Sequence, residues 1–334
     1  MPYLFVILSD RTLSKAKGKG VEGPVVPPPN SCDEPPHGCP TLAAFLFFAA
    51  RVGLRDASIT ETLTMLYDAS MPIPDRLNPT FVTARPAAPP RPDPREEARR
   101  RLIVALDLPS AASAARLVAQ LEGNCQWLKV GLELFVAAGP AVLEPLVRRG
   151  HSVFLDLKFH DIPNTVAAAV RSAAALGVRM ITVHAAGGPA MLAAAKAALA
   201  GLADPPELLA VTVLTSMDAA QMNAVGVDLS PAAQAELLAR MSMAAGLRGF
   251  VCSPREAASL RALAGPESVL VVPGIRPAGA DTGDQKRIAT PAEALRQGAS
   301  YLVVGRPITQ APDPAEAAGA ILKEMAEALR AICE

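Results

Sequence analysis

The sequence predicts an α/β chain built on a closed (β/α)8 TIM barrel, preceded by a proline-rich N-terminal extension. Three observations carry that prediction. From Arg101 onward, eight short apolar runs rich in β-branched residues recur among alanine- and leucine-rich helical stretches. Helices between the runs open on matching capping signatures, and polar residues gather where the runs end.

The runs, in order, are LIVALD (102–107), WLKVGLEL (127–134), HSVFLDLK (151–158), MITVHA (180–185), LLAVTVLT (208–215), GFVCS (249–253), VLVVPGI (269–275) and YLVVGR (301–306). Near-continuous apolar strands separated by helices imply a parallel sheet covered on its faces. Eight such units in about 230 residues suit a closed barrel, and no G-x-G-x-x-G follows the first run to suggest a dinucleotide fold. SPRE at Ser253, TPAE at Thr290 and DPAE at Asp313 each supply a capping oxygen, a proline at the first helical position and a Glu three residues on. Glycines 150, 177, 246 and 298 stand just before strands, where a helix end calls for a left-handed residue.

The first 100 residues are of another kind. They hold 16 of the 32 prolines, clustered as VVPPPN (25–30) and ARPAAPPRPDP (84–94). Such composition favours extended, poorly packed backbone, so residues 1–100 are expected to form a low-order extension and residues 101–334 the catalytic barrel. A downstream start at Met71 would leave part of that extension outside the native product.

The chain is 51% hydrophobic and 19% charged, with Lys+Arg and Asp+Glu both at 32. A sizeable core is expected, and the balanced charge argues against a broad footprint for nucleic acid or an anionic membrane. No apolar run reaches the roughly 18 residues of a transmembrane span, and MPYLFVIL lacks the features of a signal peptide. Five cysteines at 32, 39, 125, 252 and 333, with no C-x-x-C, suit a reduced, cytoplasmic protein. Cys125 and Cys252 are expected in or near the core, and Cys32 and Cys39 give no metal pattern.

In a barrel of this kind, functional groups lie at the C-terminal strand ends. Asp107 ends the first run, Lys129 lies in the second, and Asp156 and Lys158 end the third. Thr215 ends the fifth, Arg276 follows the seventh and Arg306 ends the eighth. Strand alternation turns Asp156 and Lys158 to the barrel interior and Leu155 and Leu157 to the helices. Alternating signs, with Asp161 beyond and Lys129 on the neighbouring strand, keep each charge compensated. Such an array suits stabilising a charge that changes during a reaction.

Gly305 and Arg306, after the eighth strand, offer amides and a guanidinium to a phosphate. The long polar segment PGIRPAGADTGDQKR (273–287) has the character of a lid, with Arg276 and Gln285 as candidate contacts. His151, His160 and His184 are expected to be structural, and the four histidines share no metal-ligand spacing.

The ordered series ALD (105–107), KVGLELF (129–135), FLDLKFHDIPNTV (154–166), VHAAGG (183–188), VTVLTSM (211–217), VCSPREA (251–257), PGIRP with GDQKR, and VVGRPIT (303–309) resembles the bacterial orotidine 5′-phosphate decarboxylase family. The resemblance runs from about Leu102 to Ile321 and leaves the first 100 residues outside it. It implies decarboxylation of orotidine 5′-monophosphate to UMP in a homodimer, with no cofactor and no metal. Lys158 would then protonate C6 as CO2 leaves, Asp156 would face the substrate carboxylate, and Lys129 would bridge the charge network and a ribose hydroxyl. Asp107 would hold the ribose. Asp161, with Ile162 and Thr165, would reach into the partner's site. Thr215 would contact the base or ribose, and Arg276, Gln285, Gly305 and Arg306 would hold the phosphate. Two other readings stay open: a metal-dependent sugar-phosphate decarboxylase or aldolase on a related barrel, and a non-catalytic binder of a phosphoribosyl ligand.

Overall fold

The computed structural model describes residues 93–121, 123–277 and 287–333. The proline clusters, Cys32, Cys39, Met71 and Gln285 lie outside the described residues.

The first described element is helix α1 (Pro94–Arg101), ahead of the boundary at residue 101 that the change of texture suggests. Asp93 caps it by accepting from the Arg95 amide at 2.9 Å, and Ala98 is buried where the helix meets the C-terminal helix. The eight expected strands follow as β1 (Leu102–Ala105), β2 (Trp127–Gly131), β3 (Ser152–Phe159), β4 (Met180–His184), β5 (Glu207–Val211), β6 (Gly249–Val251), β7 (Val269–Val272) and β8 (Tyr301–Val304). They pair in parallel, each with the next, and β8 returns to β1 to close the ring.

Helices cover the outside: α2 (Ala111–Gln120), α3 (Leu132–Ala138), α4 (Leu143–Arg148), α5 (Pro163–Ala174), α6 (Gly188–Ala197), α7 (Ala219–Ala224), α8 (Pro231–Ala244), α9 (Pro254–Ala264), α10 (Pro291–Arg296), α11 (Arg306–Thr309) and α12 (Pro314–Cys333). The expected left-handed glycines are found before β3, β4, β6 and β8, with Gly150 at φ 83° and Gly177 at φ 75° closing α4 and α5.

Several strands stop short of the apolar runs that announced them. The second ends at Gly131 rather than Leu134, because LELFVAA continues as α3. The first ends at Ala105, the fifth at Val211, the seventh at Val272 and the eighth at Val304. Asp107, Thr215 and Arg276 therefore stand on the loops just beyond their strands, and Arg306 opens helix α11, rather than lying at the strand ends proper.

Strand alternation sorts the apolar side chains into two layers. Leu102, Val104, Leu128, Val130, Leu155 and Ile181 face outward and pack with the helices. Ile103, Ala105, Phe154, Met180, Leu209, Val271 and Val303 face inward and fill the barrel. Trp127 and Tyr301, first residues of β2 and β8, meet edge-on with centroids 5.2 Å apart. They pack against the inner layer at the N-terminal end of the strands and fill the interior from below.

Two expected caps behave as surface caps. Thr290 accepts from the Glu293 amide at 3.2 Å while Glu293 accepts from the Thr290 amide at 2.9 Å, and Asp313 accepts from the Glu316 amide at 2.9 Å. The third is buried. Glu256 accepts from the Ser253 amide at 2.9 Å and from its hydroxyl, and also forms an ion pair with buried Arg287.

Candidate active site

At the C-terminal rim a cleft of about 510 Å³ opens, and eight residues singled out from sequence line it: Asp107, Lys129, Asp156, Lys158, Thr215, Arg276, Gly305 and Arg306. They come from both ends of the sequence, and ring closure unites them. β1 stands between β8 and β2, so the loop with Asp107 is flanked by the Arg306 turn on one side and Lys129 on the other.

The charged centre lies on β2 and β3. Lys129 Nζ is 2.8 Å from Asp107 Oδ1 and 3.7 Å from Asp156 Oδ2. Lys158 Nζ donates to both Asp156 oxygens at 2.9 Å. Thr182, on β4, donates to Asp156 Oδ1 at 3.1 Å. Lys129 and Asp156 are each only 8% exposed, whereas the Lys158 side chain is 29% exposed to the cleft. Burial opposes ionisation of Asp156. The Lys129 and Lys158 ammoniums, with hydrogen bonds from Lys158 and Thr182, outweigh it and hold the carboxyl below its ordinary value of 3.8. The carboxylate is thus ionised at neutral pH with a cation on either side.

Gly131 makes room for this array. A Cβ there would stand 2.8 Å from Lys129 Nζ and 2.9 Å from Asp107 Oδ1, closer than such atoms pack. Only glycine at the end of β2 leaves the Lys129–Asp107 pair its place.

β3 departs from regular pairing where the charges lie. Leu155 is opposite Ile181 and Phe159 opposite Val183, so residues 156–158 of β3 face Thr182 alone. Lys158 has φ 52°, the one positive value among described non-glycine residues. Left-handed backbone costs a side-chain-bearing residue of order 1–3 kcal/mol and persists where the surroundings enforce it. Alternation thus gives the inward direction of Asp156, two residues after inward-facing Phe154. The bulge, rather than alternation, aims Lys158.

The other candidates divide. Arg276 is buried, its amide donating to Ala289 O at 3.0 Å and its guanidinium to Ile275 O at 2.9 Å. Gly305 follows β8, and the exposed Arg306 opens the short helix α11, whose Ile308 amide returns to Gly305 O at 2.8 Å. Asp161, Ile162 and Thr165 are exposed, between β3 and the first turn of α5, and do not line their own chain's cleft. Asp161 Oδ1 accepts from the Ile162 amide at 2.6 Å, and the Ile162 side chain stands 67% exposed.

Two residues of consequence lie outside the sequence-derived set. Thr182 is one, and its signal was a polar side chain two positions after inward-facing Met180 on the same strand. Arg287 is the other, donating to Val213 O at 3.1 Å and Leu214 O at 2.7 Å, which fixes the loop that carries Thr215. His184 lies at the end of β4, 5.4 Å ring to ring from His160. Burial, then His160 and Lys158, lowers its pKa, and it does not line the cleft.

Cys125 and Cys252 are buried free thiols, as expected, and burial pushes Cys125 up to about 12. Among the described residues no group of three or more His, Cys, Asp or Glu is placed to hold a metal ion. Among the same residues no helix is long and apolar enough to cross a membrane.

Comparison with known proteins identifies a family. Residues 100–321 match the family model described as orotidine 5′-phosphate decarboxylase / HUMPS family. A protein of Moorella thermoacetica named orotidine 5′-phosphate decarboxylase is 54% identical over 237 residues, 69% of this chain and 94% of that one. One from Anaeromyxobacter sp. strain K with the same name is 55% identical over 221 residues, 66% of this chain and 96% of that one. The crystal structure of orotidine 5′-phosphate decarboxylase from Lactobacillus acidophilus superposes with a TM-score of 0.59 at 42% identity, covering 67% of this chain and 98% of that one.

Proposed function

The chain belongs to the orotidine 5′-phosphate decarboxylase / HUMPS family, and on that premise we propose how its cleft converts orotidine 5′-monophosphate to UMP. The reaction is the decarboxylation that yields UMP in pyrimidine biosynthesis, and the protein is a carboxy-lyase. One observation carries the assignment of the chemistry: an ionised Asp156 held between Lys158 at 2.9 Å and Lys129 at 3.7 Å, at the mouth of an otherwise apolar barrel.

The substrate carboxylate sits against Asp156, and Lys158 points at C6. Repulsion between the two carboxylates is relieved as CO2 departs, so the fixed anion disfavours the ground state more than the transition state. The electron pair left on C6 meets the Lys158 ammonium, which supplies both the stabilising field and the proton. Solvent at the open side of the cleft returns a proton to Lys158. Lys129 balances Asp156 and bonds a ribose hydroxyl, and Asp107 holds the ribose, so that the sugar completes the network.

Thr215, on the loop fixed by Arg287, contacts the base or ribose. Arg276, Gln285, Gly305 and Arg306 hold the phosphate. The short helix α11 directly after β8 supports this placement, because barrels commonly bind phosphate there. Binding energy from this remote group positions the base.

Asp161, Ile162 and Thr165 act in the site of a second copy. What supports this is their exposure, and that of Leu132 and Val136 on α3, at the same rim. Mixing Lys158→Ala with Asp161→Ala protein tests it. Hybrid dimers should regain activity, and no gain after demonstrated subunit exchange would refute a shared site. The protein works in the cytoplasm, without nucleic acid, and the catalytic unit includes helix α1, ahead of residue 101. A chain starting at Met71 keeps helix α1 and should turn over at the full-length rate.

Loss of pyrimidine absorbance from orotidine 5′-monophosphate, measured with a chelator present, tests the reaction. Activity should survive. Strict dependence on added Mg2+ would favour the sugar-phosphate chemistry, and binding without turnover a non-catalytic role; either overturns the proposal.

A further inference from the structure

Three residues of β3, Asp156 to Lys158, bulge opposite the single residue Thr182 of β4. A bulge of that kind leaves a strand amide without its ladder partner. Here the amide is that of Lys158, and Thr182 Oγ1 accepts from it at 2.8 Å. The same hydroxyl spends its own proton on Asp156 Oδ1 at 3.1 Å. A hydroxyl is one of the few groups that can accept and donate at one atom, and Thr182 is fully buried, so water cannot take either role.

The consequence reaches the reacting end of Lys158. Its φ of 52° is a conformation a lysine adopts only under constraint. The Thr182 hydroxyl bonds its amide from one side, and Asp156 takes its ammonium with both oxygens at 2.9 Å on the other. One side chain on the neighbouring strand thereby fixes both the backbone of Lys158 and the carboxylate that aims its Nζ. Thr182 is not among the residues that line the cleft, so it acts through the other two.

We propose that Thr182 is a positioning residue whose hydroxyl locks the β3 bulge and holds Asp156 and Lys158 in their reactive arrangement. The inference rests on Lys158 as the proton donor, and Lys158→Ala in the same assay checks that premise separately. If Lys158→Ala stays active, the premise falls whatever Thr182 does.

Thr182→Val keeps the shape and removes the hydroxyl. It should lower kcat by roughly 10- to 100-fold, the effect of losing one hydrogen bond to a charged group, and change KM less than about threefold. The acid limb of the kcat–pH profile should move to higher pH, because Asp156 loses a donor that favours its ionised form. Thr182→Ser, which restores the hydroxyl, should recover kcat to within about threefold and the original profile. A side chain that merely filled space would give the opposite ranking, since valine fills the site better than serine.

Wild-type kcat and pH profile in Thr182→Val, or Thr182→Ser no better than Thr182→Val, would overturn the proposal. Should the valine variant fail to fold, Thr182→Ser against Thr182→Ala carries the same comparison. Serine must then exceed alanine by about tenfold or more in kcat, and equality refutes the role.

Discussion

Asp156→Asn removes one charge from the middle of the array and leaves its shape. In the native protein the carboxylate meets Lys158 at 2.9 Å and Lys129 at 3.7 Å while only 8% exposed. The amide cannot balance either ammonium. Removing one partner of a buried ion pair costs about 3–5 kcal/mol. Lys129 keeps Asp107 at 2.8 Å and the Lys158 head reaches the cleft, so the lower end, about 3 kcal/mol, applies. In a domain of this size that is a fall in Tm of roughly 6–12 °C.

The pH dependence gives the signature. Burial works against ionisation of Asp156, but its two lysines prevail and place its pKa below the ordinary 3.8. A depressed carboxyl contributes stability that is fully present above the ordinary value and is lost as pH falls through the folded one. The gap in Tm between the native protein and Asp156→Asn should therefore be constant from about pH 8 to 5 and narrow below about pH 4. Thermal unfolding followed by circular dichroism across that range measures it. A variant as stable as wild type at pH 7, or a gap indifferent to pH, would show that the lysines do not hold Asp156 ionised.

Three further outcomes are expected. Gly131→Ala, whose Cβ would crowd Lys129 Nζ at 2.8 Å and Asp107 Oδ1 at 2.9 Å, should lower kcat/KM by on the order of 10- to 100-fold with Tm within about 2 °C of wild type; steady-state kinetics and calorimetry check both. Arg306→Ala should raise KM for orotidine 5′-monophosphate by roughly 10- to 100-fold and leave any turnover of orotidine, which lacks the phosphate, unchanged. Cys125 and Cys252, whose thiols burial pushes up (Cys125 to about 12), should escape iodoacetamide at pH 8 in the native protein and react after unfolding, as peptide mapping will record.

The barrel was legible because strands buried on both faces read as apolar runs, and because proline caps and glycine stops punctuate the helices between them. Strand ends were less so. LELFVAA is as apolar as a strand, and only its packing as α3 separates it from WLKVG. The charged centre was legible from Asp156, Lys158 and Lys129, since an ionic cluster in apolar strands demands compensation. Its geometry was not, because the bulge opposite Thr182 depends on pairing with β4, which alternation along β3 alone cannot express. Arg287 was hidden for a related reason. Its partners, Glu256, Val213 and Leu214, are distant in sequence and meet only after the ring closes.

The most direct measurement is the initial rate of orotidine 5′-monophosphate decarboxylation by Lys158→Ala at saturating substrate, with circular dichroism confirming its fold. Loss of both the proton donor and its field predicts a rate at least about 10⁴-fold below wild type. A folded variant within tenfold of wild type would contradict the central role given to Lys158.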